Sequence, residues 1–97
     1  MQIRIEPHTL LRANERGASE EEIKETLITG NEIEGKKGRL GRSKIFPFAK
    51  ERSGKYYNEK KLEVFFIIEN ETIVTITVYV FYGDFSNQES IGWEQTI

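Results

Sequence analysis

One histidine and two arginines stand four residues apart near the start of the chain, at His8, Arg12 and Arg16. On an α-helix each residue advances about 100°, so positions i, i+4 and i+8 spread over an arc of only about 80° and form one cationic stripe. That stripe suits a phosphate: two guanidiniums hold its oxygens, and an imidazole exchanges a proton near neutral pH. It is equally the polar face of an ordinary amphipathic helix, with Leu10 and Ala13 opposite it and buried.

A second set of candidates comes from the charge distribution, because the overall net charge of −2 over 97 residues conceals three unlike segments. Residues 1–35 hold four basic and eight acidic side chains, residues 36–61 ten basic and two acidic, and residues 62–97 no basic and six acidic. The middle segment, at net +8, carries Lys36, Lys37, Arg39, Arg42, Lys44 and Lys61 as candidate contacts to an anionic partner, RNA or an acidic protein. The alternative is a solvated loop whose lysines serve solubility. Its glycines and Pro47 predict loops and edge strands rather than long regular structure.

Other chemistries find fewer residues. With one His, no Cys and glutamates gathered at a helix start, no ligand set for zinc or iron is apparent, so neither metal nor cofactor is expected. The glycine-rich stretch lacks the Lys-Ser/Thr ending of a nucleotide-binding loop, and Ser19 is better placed as a helix cap than as a nucleophile. Metal-free phosphodiester chemistry remains.

The elements that position these residues follow from local pattern. Ile3 and Ile5 alternate with polar neighbours as a short strand, Pro7 to Arg16 reads as a helix ended by Gly17, and Ser19 with Glu22 makes the capping box of a second helix. Ile23, Leu27 and Ile28 are its expected buried stripe, with Gly30 closing it. A short strand around Glu32–Glu34 leads into a flexible loop at Gly35, Gly38 and Gly41. Ser43–Phe48 is a strand at an edge or bulge because of Pro47, and Ala49–Lys55 a turn. Leu62–Glu69 and Thr72–Tyr82, joined by Asn70-Glu71, form an antiparallel hairpin. Leu62, Val64, Phe66 and Ile68 share one face of the first strand. In the second, Val74, Ile76, Val78 and Val80 are expected to meet the helices, and Thr75, Thr77 and Tyr79 to face solvent or line a shallow site. The tail from Gly83, a candidate C-terminal extension, carries Ile91 and Trp93, which would dock on the sheet or on a second subunit as a homodimer. Apolar residues at 37% close one core, which makes residues 1–97 a single domain. With no long apolar run, a cytoplasmic, soluble protein without membrane attachment is expected.

The run His8-Thr-Leu-Leu-Arg12-Ala-Asn-Glu-Arg16-Gly17-Ala-Ser19, followed by Ile23 and Gly30, resembles the opening of domain-of-unknown-function family 4258. Ile73–Tyr79 is similar to that family's closing strands. Such domains resemble in outline the RelE/ParE toxin superfamily, which implies an α+β fold with two N-terminal helices on a small curved antiparallel β-sheet, and a place in a toxin–antitoxin pair. The resemblance further implies a metal-independent endoribonuclease in which an RNA 2′-OH attacks the adjacent phosphorus. His8, Lys44 or Lys61 would then transfer the proton, Arg12 and Arg16 would stabilise the phosphoryl charge, and Tyr79 would orient or stack a base. RNA, the ribosome and a cognate antitoxin are the partners it implies. The acidic ends favour a different class, a non-catalytic protein-binding module with the same fold.

Overall fold

The computed structural model describes residues 1–86, so the expected docking of Ile91 and Trp93 lies outside the described residues. The chain runs β1 (Gln2–Arg4), α1 (Pro7–Arg16), α2 (Glu20–Thr29), β2 (Asn31–Ile33), β3 (Leu40–Arg52), β4 (Lys55–Glu69) and β5 (Thr72–Gly83). It is an α+β fold, two helices against one five-stranded sheet of order β1-β5-β4-β3-β2. The sheet is mixed rather than wholly antiparallel, because β1 lies parallel to β5 with Ile3 opposite Ile73. Entering at that edge lets Ile3 and Ile5 pack against the core. Among the described residues no helix is long and apolar enough to cross a membrane.

Both helices form where local chemistry directs them. Pro7 occupies the first turn of α1, and Gly17 ends it with φ 88°, a left-handed conformation that costs glycine little. At α2, Ser19 Oγ accepts from Glu22 N at 3.1 Å, while Glu22 Oε1 accepts from Ser19 N at 3.0 Å. The buried stripe of α2 is Ile23, Thr26 and Leu27, whereas Ile28 is 66% exposed. The i, i+3, i+4 set admits Thr26 and turns Ile28 outward, and Thr26 meets its own polar requirement by donating from Oγ1 to Glu22 O at 2.8 Å.

The basic segment is not confined to loops and edges, since most of it lies in β3 and β4, and β4 is central. Gly41 is a strand residue rather than a loop residue. A Cβ there would stand 2.8 Å from Ile33 Cγ1 and 2.9 Å from Phe65 Cε1, so glycine lets those side chains pass. Pro47 does sit beyond the reach of β2, and the ladder shifts between Pro47 and Lys50 with Ala49 at φ 50°. After that bulge β3 continues to Arg52, and the turn narrows to Ser53-Gly54, at φ 54° and 82°. Asn70-Glu71 makes the expected tight hairpin, both residues having positive φ.

One bulge in β5 corrects the facing assignment. Leu62 pairs with Val80 and Val64 with Val78, but Phe65 then pairs with Thr77 and Phe66 with Thr75, leaving Ile76 as the extra residue. An extra residue reverses the alternation. Val78 and Val80 therefore join the core while Ile76 drops out of register, and Val74 turns to the face of Ile67, where it is still buried. Thr75 turns inward, fully buried, and its Oγ1 accepts from Glu6 N at 3.0 Å. In β4 the core face is Leu62, Val64 and Phe66, with Ile68 half exposed beyond the helices. Val78 is fully buried, so Val78→Asp should leave the chain unfolded in a thermal melt. An unpaired buried carboxylate costs several kcal/mol against a total of about 5–15.

Candidate functional site

The cationic stripe of α1 is directed at backbone. β1 covers the edge of β5 only over Thr72–Val74, and α1 takes over beyond it. His8 Nε2 lies 3.0 Å from Ile76 O, a hydrogen bond donated by the Nε2–H tautomer, and Thr9 Oγ1 donates to the same oxygen at 3.4 Å. Arg16 Nη1 donates to Val78 O at 2.6 Å. Two of the three stripe residues thus satisfy carbonyls that a sixth strand would otherwise take. Arg12, between them, is exposed and paired with Glu15 at 3.1 Å.

The C-terminal turn of α1 collects donors from all three long strands. Arg52 Nη2 donates to Glu15 O at 3.0 Å, Tyr82 Oη to Arg16 O at 2.6 Å, and Lys60 Nζ to Gly17 O at 2.7 Å. Lys60 is only 7% exposed and also meets Glu22 Oε1 at 2.9 Å, which ties it to the α2 capping box. The Phe48 ring packs edge-on against Tyr82 at 5.0 Å, with the Arg52 guanidinium 4.9 Å from the Tyr82 centroid. Burial raises the Tyr82 hydroxyl pKa above its ordinary value, so this donor stays protonated further into alkali. Sequence reasoning missed Lys60, Arg52 and Tyr82; the signal was Lys60 in phase with Leu62 and Val64. Arg42 and Lys44 serve α2 in the same way: Arg42 donates to Leu27 O at 3.1 Å, and Lys44 reaches Thr29 Oγ1 at 2.6 Å and Glu25 at 3.0 Å. The last turn of α2 has no basic residue of its own, so β3 supplies cations to its negative end.

The remaining candidates converge on the sheet face away from the helices. Phe65, Tyr79, Phe81 and Phe85 line it as a row, with Phe65–Tyr79 centroids 6.0 Å apart and Tyr79–Phe81 centroids 6.5 Å apart. Tyr79 and Phe81 are nearly half exposed. Arg16 lies over the Tyr79 ring at 5.5 Å, and Lys61 stands 5.6 Å from Phe81 and 5.0 Å from Phe85. Lys61 is also 3.7 Å from Glu63, a loose pair on the same face. At the far end of this face Ser86 donates to Glu59 from N and Oγ, which lowers that carboxyl's pKa from its ordinary value.

Above Phe65 and Tyr79 the loop between β2 and β3 makes a wall. Rather than a slack loop it is a tight turn: Arg39 N donates to Lys36 O at 3.1 Å, with Lys37 and Gly38 at φ 57° and 77°. Closing the turn brings Lys36 and Arg39 side by side and leaves Lys37 at its tip. Gly35 passes the Arg39 carbonyl so closely that no Cβ fits. Glu34, Lys36, Arg39, Phe65, Thr77 and Tyr79 enclose a cleft of about 240 Å³. Lys36, Arg39 and Tyr79 are thus brought together with Arg16 and, further along the face, Lys61, while His8 and Arg12 stay on α1 and Arg42 and Lys44 on the helix side of β3. Among the described residues no three His, Cys, Asp or Glu side chains stand together as a metal site.

A family profile described as domain of unknown function, DUF4258, matches residues 5–80, and the chain belongs to that family. No curated protein and no solved structure matches it.

If the stripe serves the β5 edge, Arg16→Met, which leaves Val78 O without its donor, should cost about 1–3 kcal/mol in denaturant unfolding. Arg12→Ala should change stability by less than about 0.5 kcal/mol. Equal losses would contradict the edge-sealing role.

Proposed function

We propose that the chain is a RelE/ParE-like protein of toxin type that holds single-stranded RNA on the open face of its sheet. The observation that carries this reading is the aromatic row Phe65–Tyr79–Phe81–Phe85 with Lys36, Arg39 and Lys61 along it. Unstacked bases lie on aromatic faces whatever their identity, and cations beside the row neutralise the phosphates that run between them. The antiparallel strands β4 and β5 expose on this face aromatic surface that a purely structural pair would make polar. Binding is better supported than cleavage. His8 and Arg16 are engaged by β5 carbonyls and Arg12 by Glu15, so the stripe has less left to offer a scissile phosphate. The RNA would be free or presented on the ribosome, and an acidic antitoxin would compete for the same cations.

A protein-binding reading has one observation of its own. Met1, Ile33, Leu40, Phe66, Ile68 and Ile73 contribute the apolar part of a second groove, of about 310 Å³, whose lining also includes Glu32 and Arg42. A folded Leu40→Glu variant that loses a protein partner but keeps RNA affinity would assign that groove to protein.

Fluorescence anisotropy with a labelled single-stranded hexaribonucleotide tests the RNA reading. Neutralising about three phosphates predicts a slope of log affinity against log salt near −2, at about −0.7 per phosphate. Tyr79→Ala should weaken binding by roughly 5- to 100-fold, since stacking contributes about 1–3 kcal/mol per base. Replacing Lys36 and Arg39 with Gln should flatten the slope, and replacing Arg42 and Lys44 should not. No binding at low ionic strength by a folded protein would refute the reading.

A further inference from the structure

We infer that the cleft under the Lys36–Arg39 turn selects guanine from the RNA it holds. This rests on the RNA-binding reading and adds a base preference to it. The stacking row alone cannot discriminate, because every base has a π-face. Discrimination comes from Glu34, an exposed carboxylate at the cleft whose side chain makes neither an ion pair nor a hydrogen bond among the described residues, although Lys36 and Arg39 line the same cleft. Both its oxygens are free to accept.

The cleft's shape and donor set narrow the ligand. Phe65 and Tyr79 meet at 74°, so their rings form a corner in which a base stacks on one ring and abuts the other. At about 240 Å³ the space lies below the roughly 300–1,000 Å³ of sites for drug-sized ligands, which suits one nucleotide unit of a strand that continues along the face. An ionised carboxylate only accepts, through two parallel oxygens. Guanine alone among the four RNA bases presents two adjacent donors, N1–H and the N2 amino group, on its Watson–Crick edge. Adenine and cytosine each set one amino group beside a ring nitrogen whose lone pair would face the second oxygen, and uracil flanks its single N–H with two carbonyls. Lys36 and Arg39 complement the same base or its phosphate, being donors to guanine O6 and N7 or to phosphoryl oxygens. The Thr77 hydroxyl lines the same space.

Anisotropy with the single-stranded hexamers UUUGUU, UUUCUU and UUUUUU tests this, alongside competition by 5′-GMP. The wild-type chain should bind UUUGUU about tenfold more tightly than either of the others, within the discrimination a bidentate pair supplies. In Glu34→Gln, which keeps the shape but replaces one acceptor with a donor, the three affinities should fall within about twofold of one another. UUUUUU binding should be unchanged or slightly tighter there, because a negative charge has gone. Equal binding of all three hexamers by the wild type, or a guanine preference kept by Glu34→Gln, would overturn the inference and leave RNA binding standing. Failure to bind any hexamer would overturn both. Competition by 5′-GMP at the hexamer's own affinity would keep a guanine site but overturn its assignment to RNA.

Discussion

A ten-residue helix must place its last carbonyls somewhere, and in this fold the carbonyls at the end of α1 receive the three long strands. Glu15 O, Arg16 O and Gly17 O each accept from a side chain of β3, β5 or β4, through Arg52, Tyr82 and Lys60 respectively. The donors are two cations and a hydroxyl at the negative end of the helix dipole, where positive charge is favoured. Lys60 extends the constraint to α2 through Glu22, whose carboxylate also closes the capping box. One cluster of hydrogen bonds thereby fixes the position of both helices over the sheet. It also decides where α1 points: with its C-terminus held, its His8–Arg16 stripe falls along the uncovered edge of β5 and seals it.

Sealing that edge leaves the opposite sheet face as the surface open to chemistry. The helices bury Leu62, Val64, Phe66 and Val78, and alternation sends Phe65, Tyr79 and Phe81 to the other side. Among the described residues no second layer of helices covers them. The turn closed by Lys36 and Arg39 hangs over one end of the row, and Lys61 stands over the other. The net +8 of residues 36–61 is therefore divided by function: Arg42, Lys44, Arg52 and Lys60 act on helix ends, and Lys36, Arg39 and Lys61 border the aromatic face.

The locally encoded elements were legible in the sequence. Pro7, Gly17 and the Ser19–Glu22 box define the helices through contacts a few residues apart, and Asn70-Glu71 with its flanking apolar runs defines the hairpin. What escaped depends on contacts distant along the chain. The register of β5 changes at Ile76 because of its pairing with β4, so the inward residue is Thr75 rather than Val74, and strict alternation could not show it. The parallel seat of β1 likewise depends on β5. For the site, the stripe and the basic segment were visible as charge, but each side chain's duty was not: Arg42 and Arg39 read alike in sequence and differ because one lies on the helix face of β3 and the other in the turn before it. Tyr79 was identified; its neighbours Phe65 and Phe81 became a row once the register was known.

The proposal that RNA lies on the sheet face opposite the helices is tested most directly by an amide chemical-shift titration of the isotopically labelled chain with a single-stranded oligoribonucleotide. Saturable shifts are predicted at Phe65, Thr77, Tyr79 and Phe81 and along Glu34–Arg39, with the amides of α2 and of Leu40, Ile68 and Ile73 unmoved. Shifts confined to α1, or to the groove around Leu40 and Ile68, would contradict the account.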